Sequence, residues 1–166
     1  LASGEGAAPG AATCPEGALD ELAEAFDRLL LLGGPSGGDP CATDAREVVL
    51  DAARLVDRDA EGSGGRLAVD APEPPRVVCD GWRVAAVLCC VAKEALAEAD
   101  GCVRLFARSG TAVTLGVSWE VAAGVPGNET LAPLLERLPA VEACAVEAET
   151  AARRRRVSLV YPLSHA

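Results

Sequence analysis

The stretch RVVCDGWRVAAVLCCVAKEAL, residues 76–96, decides how the chain is interpreted. It begins as a short apolar strand, passes an Asp-Gly step, and continues as a long apolar helix predicted at about 80–98. Lys93 and Glu94 interrupt the apolar surface of this helix near its end. The interruption has two explanations, a helix end that frays into solvent or a functional role for the polar pair.

Composition narrows the class of protein. The chain has 166 residues, half of them apolar and only 3% aromatic, which predicts one domain with an aliphatic core. The formal charge of −10 argues against nucleic acid as a partner, because phosphates demand clustered Lys and Arg. The run RRRR at 153–156 predicts a solvated hairpin turn. No apolar run approaches the roughly 20 residues that a membrane span needs.

The seven cysteines do not form a metal-binding pattern. They have no CxxC spacing, and the single histidine, His165, lies near the C-terminus, so no zinc site is predicted. Most of them lie in apolar strands or helices, where a free thiol behaves as a small apolar side chain. Their odd number argues against a disulfide framework and favours a reducing compartment.

The N-terminal part of the chain is predicted to be helical after a tail. Residues 1–15 are rich in Gly, Ala and Pro and predict a flexible segment. An amphipathic helix is predicted at 16–32, followed by a Gly-rich linker to residue 40. Its apolar face consists of Leu19, Leu22, Phe26, Leu29 and Leu30. The next helix begins at Thr43 or Asp44, with Glu47 placed to complete a capping box in the Asp44 register.

Short strands follow, and their order predicts an α+β fold. They are expected at 66–70, 76–79, 102–108, 111–119, 141–149 and 155–163, with a short helix at 130–138. The last four strands form two hairpins, so the prediction is a two-layer sandwich with a mixed five-stranded sheet and the helices near 44–58, 80–98 and 130–138 on one face. The predicted core positions are Val48, Ala52, Leu55, Val84, Leu88, Val91, Leu134 and Leu138.

This layout resembles the C-terminal half of a sensor histidine kinase. Such kinases have a dimerising helical hairpin with a phosphoacceptor histidine, followed by an ATP-binding sandwich of the GHKL class. Residues 43–108 resemble the run from the first helix of the ATPase domain to its central hairpin, and the closing RRRVSLVYPL resembles its final strand. The resemblance implies a dimerisation-type helix and linker at 16–40 and a histidine-kinase ATPase-like sandwich at 41–166.

The resemblance also assigns positions to the nucleotide-binding boxes. It places Glu94 where the family has an asparagine that helps to hold the Mg²⁺ of Mg-ATP. A carboxylate can ligate Mg²⁺, but it repels the triphosphate. It places Glu120 at the adenine-reading aspartate of the Asp-x-Gly-x-Gly box, with Ala122 at the first glycine and Gly124 at the second.

Two further parts of the family pattern are missing from this sequence. Between Pro126 and the last hairpin the chain has only GNETLAPLLERLPA, so the second glycine-rich box, whose amides hold the phosphates, has no counterpart. The predicted helix at 16–32 contains no histidine, and His165 follows the last strand. Autophosphorylation within this chain is therefore not expected.

The leading hypothesis is a non-catalytic, pseudokinase-type signalling domain in a two-component phosphorelay. It would bind no cofactor and have no catalytic residues and no metal site. It would act as a homodimer, or dock a protein such as a receiver domain, in the cytoplasm or as the cytoplasmic part of a membrane receptor. Similar decay is known in a bacterial histidine phosphotransferase and in plant ethylene receptors. The alternatives are an active GHKL kinase or ATPase that uses Mg-ATP with divergent boxes, and an unrelated α+β interaction domain without a ligand.

Overall fold

The computed structural model of the chain describes residues 40–59, 66–72, 76–124, 132–140 and 142–163. The helix predicted at 16–32 lies outside these ranges. The elements in chain order are β1 (Cys41–Asp44), α1 (Ala45–Asp59), β2 (Leu67–Asp70), β3 (Arg76–Cys79), α2 (Gly81–Glu98), β4 (Val103–Ser109), β5 (Ala112–Glu120), α3 (Ala132–Arg137), a 3-10 turn (Leu138–Ala140), β6 (Ala145–Ala151) and β7 (Arg154–Pro162).

Five strands form one mixed sheet in the order β2-β4-β5-β7-β6. β2 runs parallel to β4, and the other neighbouring pairs in this sheet are antiparallel. Parallel neighbours cannot be joined by a tight turn, so the chain crosses from β2 to β4 through α2. The two hairpins predicted from the sequence, β4–β5 and β6–β7, are confirmed.

The helices pack on one face of the sheet, and the core lies between the two layers, as predicted. Most of the predicted core positions are at most 2% exposed, namely Val48, Ala52, Val84, Leu88, Val91 and Leu138. Leu55 is half-buried and packs against the same core. The side chain of Leu134 lies outside the described part of the chain, and Leu135 contributes the buried position in α3.

Aspartates begin both long helices. Asp44 precedes α1, and its Oδ1 accepts the Arg46 backbone N–H at 2.8 Å. Of the two start residues that the sequence allowed, Asp44 is therefore the cap. Asp80 caps α2 in the same manner, with Oδ1 accepting the Arg83 N–H at 3.2 Å. Each carboxylate satisfies a backbone donor that has no partner within its helix.

One strand lies in a different place from the one expected. β3 does not join the five-stranded sheet but pairs with β1 in a separate two-stranded ladder. The β1 strand itself was not predicted, because its four residues, CATD, follow a Gly- and Pro-rich stretch and lead directly into α1. A four-residue strand has too short a pattern to be recognised without its partner.

The sheet face away from the helices has a small aromatic centre of its own. Phe106 is 3% exposed although it is not part of the main core. The Arg156 and Arg108 guanidinium groups lie over its ring, at 4.7 and 5.5 Å from the centroid. Gly116 is its register partner on β5, and a Cβ there would lie 2.6 Å from the ring and 2.3 Å from the Val157 carbonyl oxygen. Glycine is therefore required at this position.

Candidate functional site

A cavity of about 160 Å³ lies between the C-terminal half of α2 and the sheet. Glu94 and Glu98, one helical turn apart, form part of its wall. Trp119 of β5 and Arg155 of β7 line it from the sheet, and Leu135 lines it from α3. This cavity is at the end of α2 where the resemblance places a nucleotide.

Three side chains fill the space beside this cavity. Glu98 Oε1 accepts the Trp119 indole N–H at 2.7 Å and an Arg155 N–H at 2.6 Å. Trp119 and Arg155 are register partners on neighbouring strands, so both reach the same carboxylate. The side chains of Arg155 and Glu98 are 10% and 11% exposed, and Trp119 is 6% exposed. The charges of Glu98 and Arg155 are thus neutralised within the protein rather than by solvent or a ligand.

The three residues that match the nucleotide boxes do not come together. Glu94 is half-buried and lines the cavity, whereas the neighbouring Lys93 is exposed. Glu120 is exposed at the end of β5, and because its neighbours Trp119 and Val121 are buried, its side chain lies on the sheet face away from the helices. Gly124 is exposed with a φ of +84° and open space around its Cβ position.

Arginines of the run at 153–156 also make contacts at this end of α2. Arg153 in the β6–β7 turn pairs with Asp100 at 2.6 Å and donates from Nε to the Val121 carbonyl at 3.0 Å. The Asp100 N–H in turn donates to the Glu120 carbonyl at 2.7 Å. Arg153 and Arg154 are exposed at the turn, as predicted, whereas Arg155 is buried and Arg156 is half-buried. Arg153 also ties the segment after α2 to the residue that follows β5. This role of Arg153 was not predicted from the sequence.

A second charged group is buried at the other end of α2. Arg83 lies 3.0 Å from Glu142 and 3.4 Å from Asp80, and Glu142 is only 2% exposed. Burial raises the pKa of Glu142, while Arg83 and a backbone hydrogen bond from Asp80 oppose the rise. Burial also raises the pKa of the Tyr161 hydroxyl beside this group. These contacts fasten the segment before β6 to the start of α2, which is a structural role.

The described cysteines are free thiols, and several have raised pKa values. Burial raises the pKa of Cys79 to about 12 and those of Cys90 and Cys144 to about 11. Such thiols are protonated at neutral pH and react with dissolved electrophiles more slowly than an exposed thiol does. The expectation of small apolar side chains holds for Cys79 and Cys89, which are buried, but Cys41 and Cys102 are exposed.

Among the residues that the structure describes, no cluster of three or more His, Cys, Asp or Glu side chains could hold a metal ion. No helix within the described ranges is long and apolar enough to cross a membrane. No protein-family model matches the sequence, and no curated protein sequence matches it.

Solved structures of histidine kinases are similar to this chain. Acinetobacter baumannii histidine kinase AdeS superposes with a TM-score of 0.63 at 15% identity, over 90% of this chain and 80% of that one. A histidine kinase from Burkholderia phymatum gives 0.57 at 17% identity, over 87% and 79% of the two chains. The catalytic domain of histidine kinase ThkA gives 0.59 at 12% identity, over 75% and 97%.

At these identities the likeness establishes the fold. The chain has the α+β sandwich of histidine-kinase catalytic domains, with a mixed five-stranded sheet covered by helices on one face. The fold that the resemblance predicted is therefore confirmed.

Proposed function

We propose that the chain is a non-catalytic histidine-kinase-like signalling domain that acts by contact in a two-component-type pathway. Its contacts are dimerisation or the docking of a protein partner such as a receiver domain. The observation that carries this proposal is the Glu98–Trp119–Arg155 group, which occupies the space between α2 and the sheet where the resemblance places a nucleotide.

The size and charge of the remaining cavity support this. Its volume of about 160 Å³ compares with about 300–1,000 Å³ for typical ligand pockets. The wall carries the three carboxylates Glu94, Glu98 and Glu149 against the two arginines Arg155 and Arg156, so its formal charge is negative, which is unfavourable for an anionic triphosphate. The positive charge of Arg155, which could attract phosphates, is already paired with Glu98 at 2.6 Å. Each of these features disfavours the binding of Mg-ATP in this cavity.

The sequence also lacks the glycine-rich segment that would bind the phosphates of ATP. Phosphate groups are held in proteins by glycine-rich backbone and helix N-termini. Gly127 is the only glycine between Pro126 and the last hairpin. Because the phosphates carry most of the charge of the ligand, the loss of their cradle should cost more affinity than either carboxylate replacement.

Isothermal titration calorimetry with Mg-ATP and a non-hydrolysable analogue tests the proposal. We expect no saturable heat signal at millimolar nucleotide. The catalytic domain of an active histidine kinase is the positive control and should show saturable binding. Glu94→Asn, which restores the residue type of the family, should not create binding, since the space remains filled. Saturable binding of Mg-ATP would overturn the proposal in favour of an active GHKL domain.

An active Mg-ATP-binding kinase or ATPase is a second candidate, favoured by one observation. Glu94 lies on the cavity wall, where its carboxylate could serve as a hard oxygen ligand for Mg²⁺. Phosphate release from ATP that Glu94→Ala abolishes would support this candidate. If neither phosphate release nor nucleotide binding is found, the remaining candidate is a domain that acts by contact with another protein.

The dimerisation part of the proposal rests on the sequence at 16–32. The predicted apolar face of that segment is wide enough to need a partner. Sedimentation velocity should show a dimer that Phe26→Asp dissociates, while Glu24→Gln on the predicted opposite face leaves it intact. A monomer at all concentrations would remove this part of the proposal.

A further inference from the structure

Two cysteines lie directly opposite each other in the two-stranded ladder. Cys41 of β1 and Cys79 of β3 are register partners in an antiparallel pair. Directly opposed residues in such pairs have Cα atoms about 4.5 or about 5.5 Å apart, depending on the hydrogen-bonding pattern. Both values lie inside the range of about 4.4–6.8 Å across which disulfides form. The register alone therefore brings the two backbones to a bonding distance.

The two thiols lie on the same side of the ladder, because directly opposed residues of an antiparallel pair project their side chains to the same face. The Thr43 hydroxyl lies beside both residues, with its Oγ1 3.5 Å from the Cys41 sulfur and 3.5 Å from the Cys79 carbonyl oxygen. The two cysteines are therefore neighbours in side-chain direction as well as in backbone register.

We propose that Cys41 and Cys79 are a site of reversible oxidation, at which hydrogen peroxide converts the two thiols into one disulfide. Cys41 is exposed and meets the oxidant, whereas Cys79 is buried. The Cys41 sulfur attacks the peroxide, so that an S–O bond forms, the O–O bond breaks and a first water molecule leaves. The Cys79 sulfur then attacks the resulting sulfenic acid, so that the S–S bond forms, the S–O bond breaks and a second water leaves with the Cys79 proton. The two sulfurs are oxidised by two electrons in total, and the peroxide is reduced.

The position of the bond gives it a consequence for the fold. Cys79 directly precedes Asp80, the cap of α2, and Cys41 is the first residue of β1. The ladder between β1 and β3 is separate from the main sheet, and isolated two-stranded ladders are only marginally stable. A disulfide would fasten the start of β1 to the start of α2. This inference does not depend on the proposed function.

The arginine spacing makes the test direct. Trypsin releases Cys41 on the peptide 29–46 and Cys79 on the peptide 77–83, each with a single cysteine. After treatment of the full chain with hydrogen peroxide and alkylation of the remaining thiols, mass spectrometry should find these two peptides joined. Dithiothreitol should separate them again, and the oxidised chain should melt at a higher temperature than the reduced one.

Matched variants separate this pair from the other thiols. Cys41→Ser, at an exposed position, should fold normally and form no link from 77–83, whereas Cys102→Ser, which removes another exposed thiol, should leave the link unchanged. Cys79→Ala should leave Cys41 as a sulfenic acid that dimedone traps. The proposal is overturned if the wild-type chain is oxidised at Cys41 without the link, or if 77–83 joins 138–153, the peptide that carries Cys144.

Discussion

Replacing Glu98 by alanine should destabilise the domain strongly, although the residue lies in the last turn of a helix. The change removes the acceptor of two hydrogen bonds, from Trp119 at 2.7 Å and from Arg155 at 2.6 Å. It leaves the Arg155 guanidinium, whose side chain is 10% exposed, without this carboxylate. Removing one partner of a buried ion pair costs about 3–5 kcal/mol, and alanine adds no helix penalty. We expect a loss of about 3–5 kcal/mol, a large part of a typical domain's stability.

Urea unfolding followed by tryptophan fluorescence measures this loss. The chain has two tryptophans, and Trp82 is 41% exposed whereas Trp119 is 6% exposed. The native spectrum of the variant should therefore shift to the red through Trp119, in addition to the lower unfolding midpoint. The matched control is Glu94→Ala, one turn earlier on the wall of the same cavity, for which we expect a loss of about 1 kcal/mol or less.

A double-mutant cycle decides whether the ion pair is the cause. Arg155→Ala alone leaves Glu98 as the buried charge, and the double variant Glu98→Ala/Arg155→Ala leaves neither. If the loss of the partner charge dominates, the double variant should be less destabilised than the sum of the singles, by at least about 1.5 kcal/mol. A Glu98→Ala loss below about 1 kcal/mol, or strictly additive effects, would refute this account of the site.

Three further predictions concern the sheet and the second buried group. Gly116→Ala should cost about 3 kcal/mol or more in thermal unfolding, because the added Cβ would lie 2.3 Å from the Val157 carbonyl oxygen, and truncating Phe106 as well should not restore stability. Ala152→Gly should raise the stability to urea by about 0.5–1 kcal/mol, because Ala152 has a φ of 50°, and a loss would contradict the strain. Burial raises the pKa of Glu142, so its contribution to stability is present below its ordinary value of 4.5 and is lost as the pH rises through the raised value. The stability of the wild type relative to Glu142→Gln should therefore fall with rising pH in that range, and a difference that is independent of pH would contradict this.

Local patterns were sufficient to predict most of the fold. The apolar period of α2, the aspartate before it and the Gly-rich breaks elsewhere depend on residues close together in the sequence. The two hairpins likewise join neighbouring strands through short turns, so each carries its own signal. The pairing of β1 with β3 carries no such signal, because its register partners are separated by the whole of α1 and β2.

The side chains that form the candidate site were harder to predict, because they also come from elements far apart in the sequence. Arg155 shares the inward side of β7 with Val157, Leu159 and Tyr161, and Trp119 shares that of β5 with Leu115 and Val117. This alternation was visible in the sequence, but an arginine run next to a turn is usually solvated. Only the register that sets Trp119 against Arg155, and the packing of α2 above them, brings Glu98 to both.

The same three residues connect the stability of the domain to its proposed mode of action. A buried cation in a ligand pocket remains costly until an anion arrives, so an empty site of that kind gains stability when the ligand binds. Here Glu98 supplies the anion at 2.6 Å, and the Trp119 indole fills neighbouring volume. On the proposed function, the sandwich would then need no ligand for its stability, as a domain that presents a fixed surface to a protein partner requires. Its melting temperature should accordingly be the same with and without about 5 mM Mg-ATP, a concentration at which a ligand with a Kd of about 1 mM would stabilise the domain by about 1 kcal/mol. An increase of several degrees would mean that this end of α2 still holds a nucleotide.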